Sequence, residues 1–330
     1  MTTKAVFVSL LLGLNIGLTI AQAEETNPVT VAYQTGVDPS KVALADGLYE
    51  KATGRTIDWR KFESGAEVIA AVASGDVVVG NIGSSPLAAA ASRGLPIKTF
   101  LVAGVLGSSE ALVVRNNAAI TKPADLVGKK IAVPFVSTTH YSLLAALTHW
   151  GIDPKTIEII NLRPSEISAA WERGDIDAAY VWEPALSKVK ASGKELTNSA
   201  EVGQWGAPTF DVWITRNDFA EKNPNFLEQF VKVTTTETAR YTHDPKSYVA
   251  DSTNLEKIAR LTGSKTEDIS TLLAGNNYPT PKEQTTLLTQ PFADAIKKTA
   301  EFLKAQGKVE AVQADYLPYV TNQFVKTAAE

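Results

Sequence analysis

Val77-Val78-Val79-Gly80-Asn81-Ile82-Gly83-Ser84-Ser85-Pro86 runs from an apolar stretch through a glycine and two hydroxyls into a proline. Its first six residues have the apolar, β-branched character of a buried strand. Proline suits the first position of a helix and serine suits the cap before it, so the spacing predicts a helix over 86–92 that Gly94 ends. A strand feeding directly into a helix is the repeating half of a β-α-β unit. Such units build mostly parallel sheets with helices on their faces.

The same alternation extends in both directions. Upstream, residues 29–33 and 56–62 read as strands, and 39–53 and 66–73 as helices. Downstream, 97–102 and 110–115 read as strands. After the turn at Thr121-Lys122-Pro123 the pattern restarts, with strands at 130–134, 157–162 and 178–182 and helices at 139–149, 167–173 and from Pro184. Residues 210–215 are the last clear strand. From Asn217 the chain is mostly helical, with breaks near Pro245, Gly263 and Pro279. Two consecutive α/β units and a helical tail suggest two lobes, with the tail returning over the first. The expected division is 24–115 with 216–330 in lobe 1 and 116–215 in lobe 2, joined by two hinge crossovers.

Composition agrees with an ordinary globular protein. The chain has 330 residues, 44% apolar and 21% charged, with a net charge of −4. No basic run exceeds two residues, so nucleic acid is a poor partner. Lys4, an apolar run over 5–20 and Ala21-Gln22-Ala23 have the three parts of a cleavable signal peptide, residues 1–23. The run is shorter than the roughly 20 residues a spanning helix needs, and no later stretch is longer, so no stable membrane insertion of the mature chain is expected. Export to the periplasm is. There is no cysteine, which rules out disulfides, thiolate metal sites and a thiol nucleophile.

In two-lobed α/β proteins the ligand sits beyond the carboxyl ends of the strands. The loops at those ends are Gln34-Thr35-Gly36, Gly83-Ser84-Ser85-Pro86 and, in the second unit, Ser137-Thr138-Thr139-His140 before a helix expected near Ser142. Two hydroxyl-rich helix starts facing one another would grip an anion through N–H and O–H dipoles. Neither carries Lys or Arg. Carboxylates stand at other strand ends: Glu110, Glu183 after Trp182, and Asp211 between the apolar Phe210 and Val212. An acid among aromatic rings suits an ammonium. Together these groups describe a short zwitterion, without separating an aminosulfonate from an α-amino acid.

Longer motifs narrow the reading. Trp59-Arg60-Lys61-Phe62, residues 80–87, 109–114 and 133–144, Gly174-Asp175-Ile176-Asp177, and Gln204-Trp205-Gly206-Ala207-Pro208-Thr209 resemble the taurine-binding proteins of sulfonate ABC importers. That group lies within the wider nitrate, sulfonate and thiamine-precursor binding family, whose Asp-Leu-x-Gly-Lys-Lys-Ile-Ala-Val pattern is seen at 125–133. The resemblance implies a two-lobed, type II-like periplasmic-binding-protein fold. It implies capture of taurine and delivery to an importer permease with a cytoplasmic ATPase, without cofactor or metal. Carried onto this chain, Ser84, Ser85, Thr138 and Thr139 would meet the sulfonate, and Asp211 and Glu110 the amine. Gln34, Trp182, Trp205 and His140 would line the cleft. Glu183 stands where relatives of this kind commonly have a small residue; it would favour a second amine or simply face solvent.

Two other readings compete. The first is capture of a different small solute, such as an alkanesulfonate, a sulfate ester, nitrate or a thiamine precursor; an anion without an amine would leave Asp211 unpaired. An enzyme would need a constellation that is missing: His140, His149 and His243 have no metal spacing, and there is no Gly-x-Ser-x-Gly elbow.

Overall fold

The computed structural model describes residues 28–329. The expected signal peptide lies outside them. The described strands are β1 (Val29–Gln34), β2 (Ile57–Phe62), β3 (Val79–Gly83), β4 (Ile97–Val105), β5 (Ala111–Arg115), β6 (Lys130–Val133), β7 (Glu158–Asn161), β8 (Ala178–Val181), β9 (Gly193–Asn198) and β10 (Phe210–Arg216). They form two five-stranded sheets, ordered β2-β1-β3-β10-β4 and β7-β6-β8-β5-β9. In each, three strands run parallel and the fourth position is antiparallel to both neighbours.

The antiparallel strands correct the expected lobe boundaries. β5 was placed in lobe 1, yet it pairs with β8 and β9 in the second sheet. β10 was placed in lobe 2, yet it pairs with β3 and β4 in the first. The chain therefore changes lobe within residues 106–110 and again within 205–209, each time just before the strand and not after it. Each lobe completes its sheet with the strand that follows the crossover. Pairing across the sheet satisfies backbone groups that would otherwise be buried without partners.

Alternation within the second sheet shows why its strands read as continuous apolar runs. Ala111, Val113, Ala132, Ala179 and Val181 pack into one core, and Leu112, Val114, Ile131, Val133, Ala178 and Tyr180 into another. Successive side chains point to opposite faces, and both faces are covered by helices. The first sheet is packed inside a larger core with the helical tail, where Phe230 lies against Tyr49, Phe100 and Trp213. A separate tail cluster of Tyr241, Ile258, Ile269 and Leu273 closes over Val37 and Val42.

Three local readings change. The helix expected over 39–53 is two short ones, Ser40–Ala45 and Leu48–Thr53, divided at Gly47, whose φ of 64° is the left-handed conformation glycine tolerates. β9 and the helix Ser199–Gln204 were unforeseen. Both cleft helices start earlier than expected: Ser84–Ser92 is capped by Gly83, and Thr138–His149 by Ser137.

The lobes touch on both sides of the cleft. Thr35 donates to the Glu183 carbonyl at 2.8 Å and Ser165 to the Glu63 carboxylate at 2.7 Å. The Tyr141 and Phe302 rings lie 4.7 Å apart. At the first crossover Gly107 is obligatory, since a Cβ there would lie 2.1 Å from the Gly275 carbonyl oxygen.

Candidate functional site

The register of β10 builds the centre of the cleft. Asp211 is the Cα partner of Gly83 on one side and of Gly104 on the other, with a bulge immediately after it. An inserted antiparallel strand begins where its parallel neighbours end, so its first residues lie at the carboxyl edge of the sheet. Bulges at such positions re-aim a side chain. A Cβ on Gly83 would lie 2.5 Å from Thr138 Cγ2 and 3.4 Å from Asp211 Oδ1. The two helix starts and the carboxylate thus converge on one point between the lobes.

The cleft is a partly open pocket walled by residues of both lobes. Gln34, Glu110, Thr138, Trp182 and Asp211, all expected, line it. No Lys or Arg is among its lining residues. Glu110 is buried, accepting from Thr138 Oγ1 at 2.5 Å and from Ser199 Oγ at 3.0 Å. Burial pushes its carboxyl up to about 8, and the nearby Asp211 charge adds to the rise. Burial likewise pushes Asp211 up to about 7, with Asp38 adding and Lys41 opposing. Asp211 accepts no hydrogen bond from any described residue, whereas Asp38 is engaged by Ser40 and Lys41. A buried Glu110 and a half-buried Asp211 from different lobes, with no lining cation between them, favour a positively charged group in the space they share.

The helix Ser84–Ser92 has no side-chain cap, so its first N–H groups and the positive end of its dipole are free of side-chain competition. Ser84 and Ser85 sit inside its first turn. Both hydroxyls are fully buried and have no partner among the described residues. They stand behind the lining residues Gly83 and Pro86.

Besides Ser84 and Ser85, three more expected positions do not line the cleft. Thr139 Oγ1 is taken by Ser137 Oγ at 2.8 Å. His140 is turned into its own loop, where Nδ1 accepts the Val136 N–H at 3.1 Å and the ring stacks on Phe135 at 4.6 Å. Burial and then Lys308 lower its pKa to about 4, so it is a neutral loop clamp. Trp205 stacks on His149 at 4.1 Å and covers the outer face of the helix Thr138–His149. The second crossover carries it away from the cleft before β10 turns back in.

Several lining residues were not foreseen: Asp38, Asn81, Asn276 and Tyr278. Asp38 lies just past the Gln34-Thr35-Gly36 loop and Asn81 inside β3, so local sequence places both near strand ends. Asn276 and Tyr278 arrive from the tail, where Asn277 pairs with Val105 through two backbone hydrogen bonds of 2.7 and 3.0 Å. Asn276 then accepts from Ser109 Oγ at 2.5 Å and from Gly107 N–H at 3.1 Å. Nothing local marks that contact. Glu183 lines the cleft wall but is 3% exposed, so it is not a solvent-facing acid, and its carboxyl accepts from the Ser187 hydroxyl and N–H.

Comparison with known proteins agrees with this architecture. The family model NMT1/THI5 like matches residues 34–247. The taurine-binding periplasmic protein of Escherichia coli (strain K12) is 56% identical over 305 residues, covering 92% of this chain and 94% of that one. The alkanesulfonate-binding protein of Xanthomonas axonopodis pv. citri, solved with MOPS bound, superposes with a TM-score of 0.73 at 22% identity, covering 93% of this chain and 99% of the other. The periplasmic nitrate-binding protein of Synechocystis PCC 6803 gives 0.66 at 15% identity, over 92% and 86%. These last two are likenesses of fold. By the family match and the 56% relative, the chain belongs to the NMT1/THI5-like family and has the two-lobed fold of periplasmic binding proteins.

Proposed function

We propose that this protein captures taurine (2-aminoethanesulfonate) between its lobes in the periplasm and delivers it to the permease of an ABC importer driven by a cytoplasmic ATPase. The observation that carries the reading is the pairing of opposite chemistries at one point. An uncapped helix start meets Thr138 of the other lobe, whose methyl faces Gly83 while its hydroxyl is held by Glu110, and the buried Glu110 and half-buried Asp211 carboxyls lie alongside with no lining cation. A sulfonate stays ionised at physiological pH and accepts from several N–H and O–H donors. The ammonium supplies the positive charge that Asp211 and Glu110 lack. The 56% relative supports the choice of ligand. Among the described residues no helix is long and apolar enough to cross a membrane. The role is binding and release, with no bond made or broken.

Taurine, ethanesulfonate and β-alanine separate the parts. Calorimetry is expected to rank taurine first, with loss of either charged end weakening binding by about 2 kcal/mol, roughly thirtyfold, or more. Ethanesulfonate binding as tightly as taurine would remove the role given to Asp211 and favour the alkanesulfonate reading. Small-angle scattering should show a smaller radius of gyration with taurine, because contacts to both lobes favour the shut form.

Gly83→Ala tests the shared point itself. Its new methyl overlaps Thr138 Cγ2 of the other lobe. Overpacking of this kind costs about 1–3 kcal/mol, here charged to closing and not to folding, so taurine binding should weaken roughly 5- to 150-fold. The melting temperature of the ligand-free protein should barely move. Unchanged affinity would mean that the lobes do not approach this closely when ligand is held.

A further inference from the structure

The carboxyl of Glu183 is held by Ser187, which donates its hydroxyl to Glu183 Oε1 at 2.7 Å. The same hydroxyl oxygen lies 2.8 Å from Asp268 Oδ2, on the helix Thr266–Ala274 of the opposite lobe. A serine hydroxyl has one hydrogen, and an ionised carboxylate only accepts. One hydrogen cannot serve two carboxylates at once. With both acids ionised, one of these short contacts is oxygen against oxygen with nothing between. A proton on either carboxyl completes the chain, since that acid then donates to the serine while the serine donates to the other.

We propose that Glu183, Ser187 and Asp268 form a latch between the lobes that is completed by one proton, so that closing takes up a proton at this point. The proposal rests on reading the lobes as a pair that opens and closes around taurine. Neighbouring contacts place the latch on the closing seam. Thr35 of lobe 1 donates to the Glu183 carbonyl at 2.8 Å, and Pro184 lies 3.6 Å from the Cβ position of Gly263. The charged groups acting on Glu183 are Asp268 across the seam and Lys190 at the end of the helix Ala185–Lys190 that follows it, and Lys190 is itself paired with Glu195 at 2.8 Å. Burial raises the Glu183 carboxyl, the Ser187 hydrogen bonds oppose the rise, and the Asp268 charge adds to it.

A group whose pKa is raised in the closed form favours closing fully below its open-form value and loses that effect as pH rises through the closed-form value. The latch therefore holds in mild acid and weakens as pH increases. Asp268 does not line the cleft, and Asp268→Asn supplies a permanent donor in place of the proton. Taurine affinity measured for both proteins between about pH 5 and about pH 8 should diverge, the ratio of wild-type to variant Kd rising with pH by at most about tenfold per unit. Taking this ratio cancels the titration of Glu110 and Asp211. Calorimetry in buffers of different ionisation enthalpy should find wild type taking up more protons on binding than the variant, by up to one. Parallel pH profiles and equal proton counts would overturn the latch while leaving taurine capture intact. Failure of wild type to bind taurine would instead remove the proposed function. The latch would then be read from scattering of the ligand-free proteins: a radius of gyration that grows with pH in wild type only supports it, and one that does not change overturns it.

Discussion

Asp211→Asn is expected to weaken taurine binding by about a hundredfold or more, within the 2–5 kcal/mol typical of removing one partner from a buried charge pair. Asparagine keeps the shape and the β10 register, so the loss reads the charge alone. Binding of ethanesulfonate, which has no amine, should change little or improve. Stability should move the other way. The Asp211 carboxyl is half-buried, is pushed up to about 7 by desolvation, and accepts no hydrogen bond from a described residue, so ionising it opposes folding. Above neutral pH the ligand-free variant should melt no lower than wild type. Weaker binding in a protein that is no less stable cannot come from misfolding. A variant that binds taurine within a few-fold of wild type would place the ammonium elsewhere.

The pH dependence should be nearly as large. Glu110 is pushed up to about 8 and Asp211 to about 7, each chiefly by burial. Both must be ionised to hold an ammonium well, so taurine affinity should rise through this range by up to about tenfold per unit for each group. Between about pH 8 and about pH 5 the fall should reach about two orders of magnitude or more. The latch at Glu183 works in the opposite direction, and an Asp268→Asn background shows the cleft response alone. Stability of the ligand-free protein has the reverse sign. Carboxyls with raised folded-state pKa values stabilise the fold most below the ordinary carboxylate range, and that contribution is lost as pH rises through 7 and 8. The melting temperature without ligand should therefore drop over the range in which affinity climbs. Rising melting temperature and rising affinity together would mean that the two acids are already paired.

How far the sequence could be read depended on whether a feature announces itself within a few residues. Apolar strands such as β3, β5 and β8 did so, because a strand buried on both faces leaves no polar gap. β9 did not: Gly193-Lys194-Glu195-Leu196-Thr197-Asn198 is a polar edge strand, exposed at Lys194, and its pairing with β5 supplies what its own residues lack. Helix starts were legible as hydroxyl clusters to within four residues. Which hydroxyl turns inward was not, since Thr138 reaches Glu110 while its neighbour Thr139 serves the cap. The aromatic and histidine positions misled for the same reason. Trp205 and His140 lie beside cleft residues in the chain, but one crosses to an outer face and the other folds back on its loop.

The sequence by itself determined the alternating strands and helices, the two helix starts without basic residues, and the supply of carboxylates at strand ends. These follow from local periodicity, capping and charge, which act over a turn or a strand. The tertiary structure alone decided that β5 and β10 exchange lobes, that Asp211 falls opposite Gly83, and that Asn276 and Tyr278 return to the cleft from the tail. Those outcomes depend on sheet register and on contacts between residues far apart in the chain, where satisfying the backbone and filling both cores outweighs any local preference.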